Sequence, residues 1–274
     1  MSASASASAS ASSSPETVLV TGASSGIGAE LARAFARGGS SLVLSARSVD
    51  RLEALAAELR QKHGTAVAIL PADLAVADGA SRLVERLTEL RLQIDVLVNN
   101  AGYAGFGPFA ETDWAHEAGM LQLNVVSLTD LTKRLLPGMV ARKRGGLLNL
   151  ASTAAFQPGP LMAVYYATKA YVLSFSEALA EELRGTGVTV TALCPGATAS
   201  GFQARAHMEE SRLVKGKRLM DAATVAQAGY DGFRRGRQVV VPGVRNRLLA
   251  QSIRFTPRQM VTRIVHSMQK RVEA

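Results

Sequence analysis

The chain has 274 residues, with 31 Lys and Arg against 22 Asp and Glu, one cysteine and 24 glycines, a length that suits one α/β domain or two small ones and buries a large core without metal or disulfide staples. A lone Cys194 excludes an internal disulfide framework and a Cys₄ or Cys₂His₂ zinc site and fits a reducing, cytoplasmic setting, and no apolar run approaches the ~20 residues of a spanning helix. The net charge of +9 is uneven: residues 1–200 carry 16 basic and 17 acidic side chains and residues 201–274 carry 15 and 5, a bias compatible with an anionic substrate, an acidic partner, a membrane surface or a solvated face.

Residues 1–14 alternate Ser and Ala without the basic start or apolar centre of a secretory signal, and 1–16 is expected to be a disordered tail. From Thr17 onward, apolar runs at 17–22, 41–46, 66–72, 94–102, 145–152, 187–196 and 238–243 alternate with helical stretches. The runs are nearly continuous, as in strands covered on both faces. Leu52, Leu55, Ala56 and Leu59 exemplify the one-sided spacing of the helices between them. Seven strands and six helical stretches predict a doubly wound seven-stranded parallel sheet, Rossmann-like, with helices on both faces. No repeat or linker divides 17–274, so one domain is expected, with 245–274 as a basic helical extension.

The first strand runs into TGASSGIG (21–28). Gly22, Gly26 and Gly28 allow a sharp turn and close approach to a pyrophosphate, and the following helix presents its free N–H groups and positive dipole end. At the end of the second strand a carboxylate would accept the ribose hydroxyls of NAD. Here Ala46 and Arg47 stand instead, and a guanidinium fork matches a 2′-phosphate, which points to NADP(H). Farther on, Ser152 closes a strand, Tyr165 follows 13 residues later, and Lys169 lies one helical turn beyond Tyr165. A tyrosine is a weak acid at neutral pH, with a reference pKa of ~10. A neighbouring ammonium is expected to lower that value, making Tyr165 a general acid for a carbonyl oxygen that Ser152 also holds. The same spacing also describes a packed tyrosine and a solvated lysine.

Together these motifs resemble the short-chain dehydrogenase/reductase family: TGxxxGxG at 21–28, NNAG at 99–102 after the fourth strand, Ser152 before YxxxK at 165–169, and PG at 195–196 after the sixth strand. The resemblance covers roughly 17–245. It implies Tyr165 as acid/base, Lys169 as its modulator and ribose ligand, Ser152 as carbonyl orienter, and Asn124 as holder of a water that links Lys169 to solvent. On the cofactor side it implies the turn residues Ser24, Ser25 and Ile27 beside the glycines, and Asp73 with Leu74 at the adenine. Asn99, Ala101 and Gly102 would line the adenosine side, and Pro195, Gly196, Thr198 and Ser200 the nicotinamide side. AST replaces the family's SS-x, and Ala199-Ser200 replaces a threonine ending. Residues 197–220 would cover the substrate, and the helices containing 112–136 and 163–184 would pair subunits into a homodimer or homotetramer.

Unlike bacterial 3-oxoacyl carrier-protein reductases, which usually close near 245 residues, this chain continues through 245–255 and 258–271, broken at Pro257. Met260, Val261, Ile264, Val265 and Met268 form one apolar stripe, expected to pack on the chain's own fold or a neighbouring subunit rather than on a membrane. Phe156, Leu161, Met162 and Phe202 suggest an apolar substrate pocket, while Tyr103, Phe106 and Phe109 either line it or pack their loop. His63, His116, His207 and His266 show no ligand spacing, so no metal is inferred. Cys194 reads as a buried structural thiol. No interleaved basic and aromatic pattern indicates a nucleic-acid partner. The expected activity is NADP(H)-dependent interconversion of a ketone or aldehyde with an alcohol. The alternatives are a 3-oxoacyl-type reductase acting on a carrier- or CoA-linked substrate, and a non-catalytic NADP(H)-sensing protein.

Overall fold

The structure, a computed structural model, describes residues 15–201, 211 and 219–270. Strands β1 (Thr17–Thr21), β2 (Ser41–Ser45), β3 (Val67–Ile69), β4 (Val96–Asn99), β5 (Gly145–Leu150) and β6 (Val188–Leu193) alternate with helices α1 (Gly26–Arg37), α2 (Val49–His63), α3 (Gly79–Glu89), α4 (Trp114–Leu121), α5 (Leu128–Ala141) and α6 (Ala163–Glu182). Strands β7 (Thr198–Ala199) and β8 (Met220–Asp221) form a two-stranded ribbon. Helix α7 (Ala222–Arg234), strand β9 (Val239–Val240), and helices α8 (Val244–Ser252) and α9 (Arg258–Gln269) complete the order.

The main sheet is parallel, in the order β3-β2-β1-β4-β5-β6-β9. Its apolar runs work because successive strand residues point to opposite faces. Val18 and Val20 join Leu42, Leu44, Val96 and Val98 in a core closed by α1, α2 and α7. Leu19 joins Val43, Leu97 and Leu147 in a second core closed by α3, α5 and α6. The expected seven strands and two helical layers are therefore present. Strand order reverses between β1 and β4, and the crevice at their carboxyl ends is where this architecture binds ligands.

One departure from regular geometry lies on the chain's route to that crevice. Between α4 and α5 the backbone widens into a π-helical turn at Gln122–Ser127. Such turns shift a helix's facing by one residue. Asn124 sits inside this one, 1% exposed, and points to α6 and to the loop that follows β4.

Candidate active site

The crevice opens as one cavity of about 660 Å³ whose lining runs from the glycine turn to the first half of α6. Sequence dictates the turn closely. Gly22 has φ +65° and Gly26 φ +56°, in the left-handed region that glycine alone adopts freely. A Cβ on Gly28 would lie 2.3 Å from Asn100 Nδ2 and 2.4 Å from the Gly22 carbonyl oxygen, so a side chain there would push the turn apart. Asn100 locks that turn, its Nδ2 donating to the carbonyls of Thr21 (2.9 Å) and Gly22 (3.2 Å). Ser25 stands at the N-cap of α1 without spending its hydroxyl on the cap. The first N–H groups of α1 are thus directed at the cavity mouth, the usual arrangement for holding a phosphate.

At one end of the cavity lie Arg47, Ser48 and Arg51, with Asp73, Leu74 and Ala75 beside them. Arg47 follows β2, and Arg51 stands one helical turn on, in α2. The two guanidinium groups form a doubly cationic wall. Asp73 Oδ1 accepts from the Ala75 N–H at 3.0 Å, which fixes its turn.

At the other end lie Ser152, Tyr165 and Lys169. Ser152 is held at both poles, since its Oγ accepts from Ala154 N at 3.1 Å and donates to the Pro195 carbonyl at 3.3 Å. Burial raises the Tyr165 phenol above its ordinary value, and a hydrogen bond with Ser152 opposes the rise. Lys169 makes no hydrogen bond to that phenol. The ammonium is directed elsewhere: Nζ donates to the Leu150 carbonyl at 2.7 Å and stands 5.8 Å from the Tyr165 ring centre. Burial brings Lys169 itself down to about 8.

Most of the sequence-selected positions converge here. Gly22, Ser24, Ser25, Gly26, Ile27, Arg47, Asp73, Leu74, Ala101, Gly102, Pro195, Gly196, Thr198 and Ser200 line the same cavity. Ser200 closes over the turn, its Cβ within 3.3 Å of a Cβ built on Gly26. Gly28, Asn99 and Asn124 stand behind the lining. Asn99 faces the sheet interior, donating to Thr132 Oγ1 and Asn149 Oδ1, and its neighbour Asn100 occupies the wall, because strand alternation sends adjacent residues to opposite sides. The amide of Asn124 cross-links two elements, donating to the Tyr103 carbonyl (3.0 Å) and Thr168 Oγ1 (3.1 Å) while its Oδ1 accepts from Tyr103 N.

The expected apolar pocket is redrawn. Met162 lines the cavity, while Leu161 holds a left-handed backbone (φ +67°) and gives its carbonyl to Gly107 N. Phe156 packs in a separate cluster with Val172 and Phe175, and Phe202 lies outside the described residues, as does most of the 197–220 segment. Of the three loop aromatics, Tyr103 lines the cavity, Phe106 packs beside it and Phe109 is exposed. Arg51, Asn100, His116 and Tyr166 are lining residues that sequence reasoning missed. Arg51 had a signal, one helical turn beyond Arg47; His116 and Tyr166 had none that separates them from ordinary helix residues.

A glycine turn opening a helix at the switch point, joined by one cavity to a serine, a tyrosine and a buried lysine, defines a dinucleotide-type cleft with an acid/base end. The short chain dehydrogenase family matches residues 16–211, and the chain belongs to that family. It is 36% identical to the ketoacyl reductase HetN of Nostoc sp. over 181 residues, 66% of this chain and 63% of that protein. The matched region spans about three-fifths of the first curated relatives it resembles. Among solved structures, a short-chain dehydrogenase from Sphingobium yanoikuyae in complex with NADPH superposes with a TM-score of 0.78 at 35% identity, over 94% of this chain and 98% of that one. The bulky-bulky ketone specific alcohol dehydrogenase from Comamonas testosteroni superposes at 0.75 with 29% identity, over 96% and 98%.

Proposed function

We propose that this chain is an NADP(H)-dependent oxidoreductase that interconverts an apolar ketone or aldehyde with its alcohol. The observation that carries the reading is the convergence of Ser152, Tyr165 and Lys169 at one end of a cavity whose other end is the glycine turn and the Arg47–Arg51 pair. The donor set fits the cofactor. Open glycine backbone and helix N–H groups suit the pyrophosphate, two guanidinium groups suit a 2′-phosphate, and Asp73 with Leu74 suits the adenine side. Pro195, Gly196, Thr198 and Ser200 lie where they can hold the nicotinamide side.

When bound, NADPH supplies the hydride that reaches the carbonyl carbon. Tyr165, protonated at neutral pH because burial holds its proton, donates it to the carbonyl oxygen. Ser152, placed by the Ala154 N–H, turns its one proton from the Pro195 carbonyl to that oxygen and steadies it as the charge develops. Lys169 holds the ribose and keeps a positive charge behind Tyr165. Asn124 positions the Gly102–Tyr103 backbone against α6. Met162, Tyr103 and Tyr166 give the substrate end its apolar walls, with the His116 imidazole as a polar exception. The similarity to a ketoacyl reductase supports a 3-oxoacyl thioester as the second substrate class. In the same reading the chain works as a homodimer or homotetramer through the α4–α5 and α6 faces, where Trp114, Val126 and Tyr171 are exposed.

The test is NADPH consumption over a panel of apolar ketones, aldehydes and a 3-oxoacyl thioester. Reduction of at least one class supports the reading. Tight NADPH binding with no turnover on any of them would instead indicate a sensor.

A further inference from the structure

From Val244 to Lys270 the chain carries Arg245, Arg247, Arg254, Arg258, Arg263 and Lys270 and not one acidic residue. All six cations are exposed, and none forms an ion pair with a described acidic side chain. The same stretch exposes Leu248, Leu249, Phe255, Met260, Ile264 and Met268, with Phe255 at 88% beside Pro257. Helix α9 divides its apolar residues between two stripes about 100° apart. Val261, Val265 and Gln269 are buried, the two valines among Met162, Tyr165 and Tyr166, and Gln269 Nε2 donates to the Tyr166 hydroxyl at 2.6 Å. Met260, Ile264 and Met268 are left facing outward. Among the described residues, packing on the chain's own fold accounts for one stripe alone.

We propose that this outward surface docks on an anionic lipid bilayer. Phe255 and the Met260–Ile264–Met268 stripe would enter the headgroup–acyl boundary, and the arginines would lie along them with their guanidinium heads at the phosphates. Charge decides among the occupants. A two-fold pairing of identical copies would set six cations against the same six, with no acid to neutralise them. An acidic protein answers the charge, but here arginine recurs beside nearly every exposed apolar side chain across two helices and a turn. That pattern suits a deformable surface in which each inserted side chain is ringed by phosphate. The contact is peripheral, since among the described residues no helix is long and apolar enough to cross a membrane. The subunit faces proposed on α4–α5 and α6 are different surfaces, so docking does not compete with them. The buried stripe of α9 touches Tyr166, so a docked chain holds the substrate end of its cleft beside the lipid.

The experiment is co-sedimentation of the full chain with vesicles of phosphatidylcholine alone, and with about a third phosphatidylglycerol added. The proposal expects binding to the anionic vesicles only, released by high salt. The triple variant Arg254→Ala, Arg258→Ala, Arg263→Ala should bind about a hundredfold more weakly, at roughly fivefold per cation. Phe255→Ser should lose about tenfold or more while its Tm stays at the parent value. Equal binding to neutral vesicles, no binding to anionic ones, or retention by both variants would overturn the assignment. So would polyglutamate bound as tightly as the anionic vesicles, which marks an acidic protein partner, or self-association that Phe255→Ser abolishes.

Discussion

Lys169 carries two opposing demands. The proposed reaction needs its positive charge beside the ribose and Tyr165, whereas burial penalises that charge and brings its pKa down to about 8 from an ordinary 10.5. The sign follows from proton binding. Below pH 8 both the folded and unfolded chains hold the proton, and the burial penalty is fully present. Between about 8 and 10.5 the unfolded chain still binds the proton that the folded chain has shed, so this residue's contribution to stability improves as pH rises through that window. The Tm difference between the parent and Lys169→Met should therefore move in the parent's favour from pH 7 to pH 10, with no cofactor added. A constant or shrinking difference would contradict the burial argument. At the opposite end, Arg47 and Arg51 are assigned to one phosphate. Arg47→Ala and Arg51→Ala should each weaken NADPH binding about ten- to hundredfold by fluorescence titration, at roughly 1.5–3 kcal/mol for a charged hydrogen bond. NADH affinity should stay where it is; a parallel loss of both cofactors would remove the 2′-phosphate assignment.

Helix α9 shows how a stripe drawn from sequence is divided by tertiary contact. Five apolar residues at helical spacing mark a face but do not say how much of it is covered, because the covering side chains, Met162, Tyr165 and Tyr166, lie about a hundred residues earlier. Burial of Val261 and Val265 predicts that Val261→Ala and Val265→Ala each cost about 1.5 kcal/mol in chemical denaturation, from two lost methyl equivalents at ~0.8 kcal/mol each. Met260→Ala and Ile264→Ala should stay within roughly 0.5 kcal/mol of the parent. Equal costs in the two pairs would mean the stripe is buried whole. The π-helical turn at 122–127 was hidden for a similar reason. QLNVVS holds no Gly or Pro to mark a break, its Asn, Val and Ser being only weak helix formers, and the widening serves Asn124, whose partners Tyr103 and Thr168 belong to other elements.

At the scale of the whole molecule, the sheet was legible because its strands carry continuous apolar runs, and alternation along each run builds both cores without further instruction. The site was legible wherever chemistry restricts residue type. Gly22 and Gly26 need positive φ, Arg47 stands where a carboxylate is otherwise expected, and Tyr165 and Lys169 share a helix face. It was illegible where a wall is built by ordinary residues brought together from distant elements, as with His116 and Tyr166, or where neighbours exchange faces, as with Asn99 and Asn100. The cavity joins the glycine turn, the Arg47–Arg51 pair, Asn100, His116, Tyr165 and Tyr166 into one continuous cleft, whose Tyr165 end is proposed to perform proton transfer to a carbonyl. The direct measurement is the steady-state reduction rate of Tyr165→Phe with NADPH and the best ketone of the panel, alongside NADPH affinity. The rate should fall by two or more orders of magnitude, in line with the ~10²–10⁴ that general acid catalysis contributes, with cofactor affinity close to the parent's. Turnover within a few-fold of the parent would contradict it.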